Sequence, residues 1–341
     1  MNRSLVIKCV AGAGKTTDCI KVLSRHPRGL YLAFTNSVVD DIKNKGYMAS
    51  TIDSFFMSFL LPKLVPLIPI IADGARFVWF EGIRGMANIK ISHDGRFFNK
   101  SKPIEEVCLS TDNNALHELS NFNSKYFLVN TFTKDEVKVD SNMLNQLSNY
   151  ALDNFSDHIE QLMRQCFDYV IFDEAQDLSG YKEKFAELMH RSRTPTRILG
   201  DDNQNIRRGG EWFELIASNM ARNKTFRCPS NTCDWIRETL KIDIHAHKFN
   251  SSEGQVSKIS WSEVQKCNAE NTHLLYSQIS HGKIHDTVST WKGPKSTIGH
   301  AKGSTINSDV VVIGDTLRRK AYYVALTRST MNTYTTIKKS T

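Results

Sequence analysis

Between Leu5 and Thr17 the chain reads LVIKCVAGAGKTT: an apolar run, two glycines with one alanine between them, then a lysine and two threonines. An apolar run that breaks at glycine and restarts with helical character at Lys15 is a strand-to-helix turn. At such a turn the first backbone N–H groups have no partner and point at whatever lies beyond the helix start. Gly12, Ala13 and Gly14 let the backbone approach an anion closely, and the amides from there through Lys15, Thr16 and Thr17 can cradle it. Lys15 then reaches the β and γ phosphates of a nucleotide, and the Thr16 hydroxyl is placed to ligate Mg²⁺. The full phosphate-loop pattern has glycine where this chain has Cys9. A glycine-rich turn before an ordinary helix is the other reading of this stretch alone.

The following segments predict a parallel sheet. A helix over Thr17 to Arg25 stops at Pro27 and Gly29, and a second apolar strand runs from Leu30 to Phe34, which makes strand, helix and strand within about thirty residues. Thr35, Asn36 and Ser37 stand at its carboxyl end, where open α/β sheets bind ligands. A helix over Val38 to Lys45 and a short third strand lead into Thr51-Ile52-Asp53-Ser54-Phe55, with Ser54 placed to cap the next helix. From 56 to 150 the periodicity is lost. Met57 to Ala72 is the most hydrophobic stretch, but Pro62, Lys63, Pro66 and Pro69 break it, so it reads as a buried loop or broken helix, not a membrane span.

Regularity returns with a helix near Met143 to Cys166. The strand Tyr169-Val170-Ile171-Phe172 then ends in Asp173-Glu174-Ala175-Gln176-Asp177. Beside a phosphate loop, an Asp at such a strand end holds Mg²⁺, and the next Glu orients or deprotonates the attacking water. A carboxylate-rich helix start would look the same. Another strand, Arg197 to Gly200, delivers Asp201 and Gln204, an amide that senses a terminal phosphate or caps a loop. The chain continues with a helix over Phe213 to Met220 and a strand over Lys224 to Arg227. Strands near 273–277, 296–299, 309–314 and 334–337 and a helix over 317–326 form a second α/β block.

At 341 residues the chain accommodates two domains. Its net charge of +8 is uneven: from His281 onward ten Lys or Arg face three Asp or Glu. That bias favours a polyanion partner, although a basic face can also be merely solvated. The seven cysteines form no CxxC pair, and no secretory leader is evident, so a reduced intracellular setting is expected.

The ordered set of motifs resembles the superfamily 1 helicases, in particular the UvrD/Rep-like branch, from Cys9 to Arg328. Gly12-Ala13-Gly14-Lys15-Thr16 is similar to the first motif, Phe34-Thr35-Asn36 to a segment that meets single-stranded DNA, and Thr51 to Phe55 to T-x-H-S-F with Asp53 in place of His. Asp173 to Asp177 resembles the second motif, Gly200 to Gln204 the third, Thr225-Phe226-Arg227 the N-Y-R element, and Tyr323 to Arg328 the final V-A-x-T-R. Thr297 to Gly303 is similar to T-x-H-x-x-K-G, with Gly299 at the His position and Thr305 near the place of the usual Glu. Where the family has a base-stacking aromatic after Gln204, Arg207 and Arg208 stand, and Trp212 is the substitute. Among the few residues before the phosphate loop no counterpart of the family's upstream glutamine motif, which reads adenine, is expected.

The resemblance implies an α/β fold with two RecA-like parallel-sheet domains in tandem and one inserted subdomain: 1–55 and 151–222, with 56–150 inserted, then 223–341. It implies Asp173 and Thr16 for Mg²⁺, Glu174 as base, Gln204 at the γ-phosphate, and Arg227 and Arg328 as arginine fingers on ATP. Phe34, Thr35, Asn36, Thr51, Ser54, Trp212 and His300 are expected along the nucleic acid. The expected protein is a cytoplasmic or nuclear monomer acting on single-stranded DNA, with RNA as the alternative, moving 3′ to 5′, with replication or repair proteins as partners and no membrane. A helicase-like nucleotide switch that does not translocate is the rival, as is a viral-type RNA helicase.

Overall fold

The computed structural model describes residues 4–67, 76–79, 89–91, 97–99, 102–103, 136–139, 141–206, 211–267, 270–277 and 282–340. Arg207 and Arg208 lie outside them. The chain divides into two compact units. One comprises Met1–Ser4, His26–Val170 and Ser179–Thr196; the other comprises Leu5–Arg25, Ile171–Leu178 and Arg197–Thr341.

In the first unit the strand Gly29–Ala33 pairs in parallel with Met48–Thr51, Leu30 opposite Met48 and Ala33 opposite Thr51. Every residue of GLYLA is buried, as expected of a strand covered on both faces. The helix Asn36–Asn44 begins directly after extended Thr35. The expectation that Ser54 caps the next helix is corrected: Thr51 is the cap, its hydroxyl accepting from the Ser54 amide of the helix Ile52–Phe55. Thr51 is the last extended residue, so only its oxygen can meet that amide.

As far as Leu67 the hydrophobic stretch that follows is a broken helix, and its last residues, 68–72, lie outside the described ones. A wide turn over Phe56–Leu60 passes into Leu61–Leu64 and a tight turn over Val65–Leu67, burying Phe56, Leu60, Leu61, Leu64 and Val65. Phe55 and Phe56 pack on Phe185, and Phe56 also meets Tyr181. In the 56–150 region, Arg76–Trp79 pairs in parallel with Glu136–Val139. Ile89–Ile91, Phe97–Asn99 and Lys102–Pro103 form an antiparallel sheet. The helix expected over 143–166 is two, Ser141–Asn154 and Ser156–Cys166.

The second unit holds the carboxyl ends of four neighbouring strands. Ser4–Cys9 lies between Met220–Arg222 and Thr196–Gly200, and Tyr169–Phe172 follows on the far side of Thr196–Gly200. Ile7 pairs in parallel with Met220, so the helix expected over 213–220 is shorter, Glu211–Leu215, and the chain turns back into the sheet. A separate five-stranded sheet has the order Val256–Lys258, Thr333–Thr335, Asp309–Ile313, Thr272–Tyr276, Lys295–Thr297, parallel throughout. Its core joins Leu274, Val311 and Ile313 to Val264, Val288 and Trp291. The strand expected over 224–227 stops at Thr225, and the helix expected over 317–326 is Arg319–Leu326. Parallel sheets with helices between their strands are the α/β architecture of RecA-like domains. No helix among the described residues is long and apolar enough to cross a membrane.

Candidate active site

The site is built at strand ends within the second unit. Ser4–Cys9 ends and the chain turns through Gly12 and Gly14 at φ +71° and +77° before the helix Lys15–Leu23. Only a residue without Cβ holds such angles at no steric cost. Gly12 must also be bare for another reason: a Cβ there would lie 2.7 Å from both the Arg227 Cβ and the Thr225 Oγ1. The Phe226 amide donates to the Gly12 carbonyl at 2.9 Å, which stitches the loop to Thr225-Phe226-Arg227. Cys9 is buried, and burial, outweighing Lys15, pushes its thiol up to about 11. It is a small neutral hydrophobe here, not a nucleophile.

Lys15 is buried, with its ammonium 3.4 Å from Glu174 Oε1. Burial disfavours the cation, but Glu174, Asp173 and Asp201 reverse that and raise it above the usual lysine range. Burial likewise works against the Glu174 carboxylate, and Lys15, Gln176 and Lys302 outweigh it, holding it at about 2. Glu174 has a left-handed backbone, φ 55°, an uncommon conformation for a non-glycine residue and one that gathers at functional sites. Its amide donates to Asp173 Oδ1 at 2.9 Å, and the Gln176 amide nitrogen donates to its Oε2. The folded carboxyl therefore sits below its ordinary 4.5. Its contribution to stability is complete above that value and is lost as pH falls through about 2. Glu174→Gln is expected to flatten this part of the acid-unfolding curve, as measured by circular dichroism; an unchanged curve would contradict the ion pair.

A buried chain of hydrogen bonds runs from the phosphate loop to Arg328. The Ala11 amide donates to the Tyr323 hydroxyl at 3.0 Å, and that hydroxyl donates to Asp201 Oδ2 at 3.0 Å. Gln204 Nε2 donates to the same Asp201 oxygen at 2.8 Å, and Gln204 Oε1 accepts from Arg328 Nη2 at 3.2 Å. The amide has one donor end and one acceptor end, so it bridges a carboxylate and a guanidinium without flipping. Gln176 Oε1 accepts from the Asp201 amide at 2.9 Å, which ties in the Glu174 segment. Arg328 is 1 % exposed. Burial and the nearby Arg227 bring its guanidinium down to about 10, still protonated at neutral pH. Arg227 is half-buried, with Nη1 donating to the Thr327 carbonyl at 3.4 Å.

Lys15, Glu174, Gln204, Arg227 and Arg328, named from sequence, thus fall in one connected cluster. Thr16 is half-buried and Thr17 exposed on the first turn, and Asp173 is buried at its strand end. The residues suit a nucleotide and a hard cation: a bare glycine cradle beside three cationic side chains, and oxygen donors on Thr16 and Asp173. Sequence reading gave no role to Tyr323, Asp201 or Lys302. Lys302 pairs with Asp177, both side chains being less than a tenth exposed, and donates to the Gln204 carbonyl at 2.6 Å. The signal was present, since all three stand inside quoted motifs, but only the fold shows what each touches. Phe226 stacks on His247, ring centroids 4.1 Å apart, another partner that sequence could not name.

The residues expected along nucleic acid are split between the units. In the first, Phe34, Asn36, Thr51 and Ser54 line one cavity of about 420 Å³. Thr35, also exposed, is not among its walls. In the second, Trp212 is half-buried in the helix Glu211–Leu215, and His300 is exposed in Ile298–Ala301, its amide donating to Thr297 Oγ1.

Residues 94–209 match the UvrD/REP helicase N-terminal domain, a span that contains Asp173–Asp177 and Gly200–Gln204 and begins after the phosphate loop. The matched span is about a third of the chain, and it falls where the motifs above resemble those of the superfamily 1 helicases. Among solved structures it is similar to an Arterivirus nonstructural protein 10 helicase, at 14% identity over 98% of this chain and 60% of that one, TM-score 0.47. It is also similar to the same Arterivirus protein in complex with DNA, at 13% identity over 98% and 61%, TM-score 0.47. The PRRSV helicase matches at 14% identity over 98% and 52%, TM-score 0.47. The chain therefore spans about 60% of the length of the first of these. No curated protein sequence matches it.

Proposed function

We propose that the protein is an ATP-dependent motor on single-stranded nucleic acid, with DNA as the first substrate to test and RNA as the second. The observation that carries this reading is the continuous path Ala11, Tyr323, Asp201, Gln204, Arg328. It gives a guanidinium more than three hundred residues downstream a bonded route to the loop that holds the phosphates. In this reading 1–55 with 151–222, and 223–341, are the two RecA-like halves, with 56–150 inserted. Mg²⁺ held by Thr16 and Asp173 would neutralise phosphate charge. Lys15 binds the β and γ phosphates and so leaves Glu174, whose carboxylate then orients or deprotonates water. Gln204 reports the γ-phosphate to Arg328, and Arg227 and Arg328 supply the cations that phosphoryl transfer requires.

ATP turnover with and without single-stranded DNA or RNA tests the reading, alongside strand displacement on tailed duplexes of both polarities. The expected result is stimulation by a strand, with Lys15→Ala losing at least about a hundredfold in turnover, the order seen when one transition-state donor is removed. ATP turnover that no strand alters would leave a nucleotide switch, not a motor.

A further inference from the structure

We infer that Trp79, from the inserted region, is a further nucleic-acid-binding residue, supplying stacking surface for one unstacked nucleobase of a single strand in the first-unit cavity. This rests on the strand-binding reading above and adds a residue and a ligand class to it. Trp79 lines the cavity together with Phe34 and is 49 % exposed. Its strand, Arg76–Trp79, is fixed by parallel pairing that sets Trp79 opposite buried Val139. A single exposed tryptophan needs no explanation; an exposed tryptophan and a phenylalanine on the walls of one cavity, with Met57 and polar side chains between them, do. At about 420 Å³ the space falls within the ~300–1,000 Å³ of small-ligand pockets.

Charge decides which part of a nucleotide fits. Among the described lining residues only Asp53 is charged, and it is already compensated. Its Oδ1 accepts from the Tyr181 hydroxyl, and its Oδ2 from Lys182 Nζ at 2.7 Å. That same ammonium rests 4.9 Å from the Phe34 ring centre. An unpaired carboxylate would repel a polyanion, and an unpaired lysine would select phosphate. The paired arrangement leaves aromatic faces with hydroxyls and an amide at Thr51, Ser54, Ser58 and Asn36, the chemistry of a neutral planar base. Asp53 in place of the family's histidine thereby has a role: it anchors Lys182 over Phe34.

The test is binding of a fluorescein-labelled oligothymidylate, and of an abasic strand of equal length, to the full chain. Trp79→Ala is expected to weaken oligothymidylate binding by about tenfold, within the range for loss of one stacked base, and to leave abasic-strand binding unchanged. Trp79→Phe is expected to keep most of the affinity and to lose part of the tryptophan quenching that oligothymidylate produces, a readout that holds even if the alanine variant folds poorly. Equal affinity of wild type and Trp79→Ala for oligothymidylate, or the same loss on the abasic strand, overturns the pocket while leaving strand binding intact. Wild-type protein that binds neither strand overturns both.

Discussion

Arg328→Ala is expected to lower kcat for ATP hydrolysis by about 10³–10⁵-fold, the range for removal of an arginine finger, with KM changed far less. Arg328 is buried, and all its hydrogen-bonding nitrogens meet protein acceptors. Nε donates to the Val324 carbonyl, Nη1 to the Ser304 carbonyl, and Nη2 to Gln204 Oε1 and Thr327 Oγ1. A guanidinium fixed by four acceptors is preorganised, so little reorganisation is needed as charge develops on the transferring phosphoryl group. With its proton retained up to about pH 10, no loss of its charge is expected across the neutral range. Arg328→Lys keeps a cation but not the planar fork, and one ammonium cannot meet the same four acceptors. It should therefore restore only a small part of the rate. Steady-state kinetics on both variants, with melting curves to confirm folding, checks this. A folded Arg328→Ala protein within tenfold of wild-type kcat would reduce Arg328 to a structural residue.

Much of this cluster was legible because phosphate chemistry constrains a short stretch of chain. Gly12 and Gly14 had to be glycine, and an apolar run ending in acid at Asp173 could be read as a buried strand with a charged end. The parallel sheets followed from the same alternation of strand and helix. What was not legible lies between distant segments. Nothing in Tyr323 announces that its hydroxyl will sit between the Ala11 amide and Asp201, because the pairing spans 312 residues and depends on the fold. Ser54 was assigned as a cap by residue type, yet Thr51 holds the extended position from which a side chain reaches the first turn. Trp79 was passed over because the region around it has no period from which a surface could be inferred. The helix expected to reach Met220 failed for a related reason: Ile7 pairs with Met220, and sheet formation outweighs a weak helical preference at the end of a short segment.

Asp177→Asn is expected to destabilise the second unit by about 3–5 kcal/mol, the usual penalty for stranding one member of a buried ion pair. The Asp177 and Lys302 side chains are 8 % and 9 % exposed, so water does little to screen them. Lys302 would keep its bond to the Gln204 carbonyl, but one neutral acceptor does not offset a buried ammonium. Replacing both partners by apolar residues of similar size, Asp177→Leu with Lys302→Met, removes the desolvation penalty along with the attraction. That double variant should lie well above either single one in urea midpoint and near wild type. The activity should not return with the stability. Lys302 is one of the cations that lower Glu174, and its bond to the Gln204 backbone helps fix the amide that meets Arg328. A double variant that folds but turns over ATP slowly would locate the pair's value in alignment of Glu174 and Gln204. Single variants within about 1 kcal/mol of wild type, no more than an exposed pair contributes, would show that the interaction is screened after all.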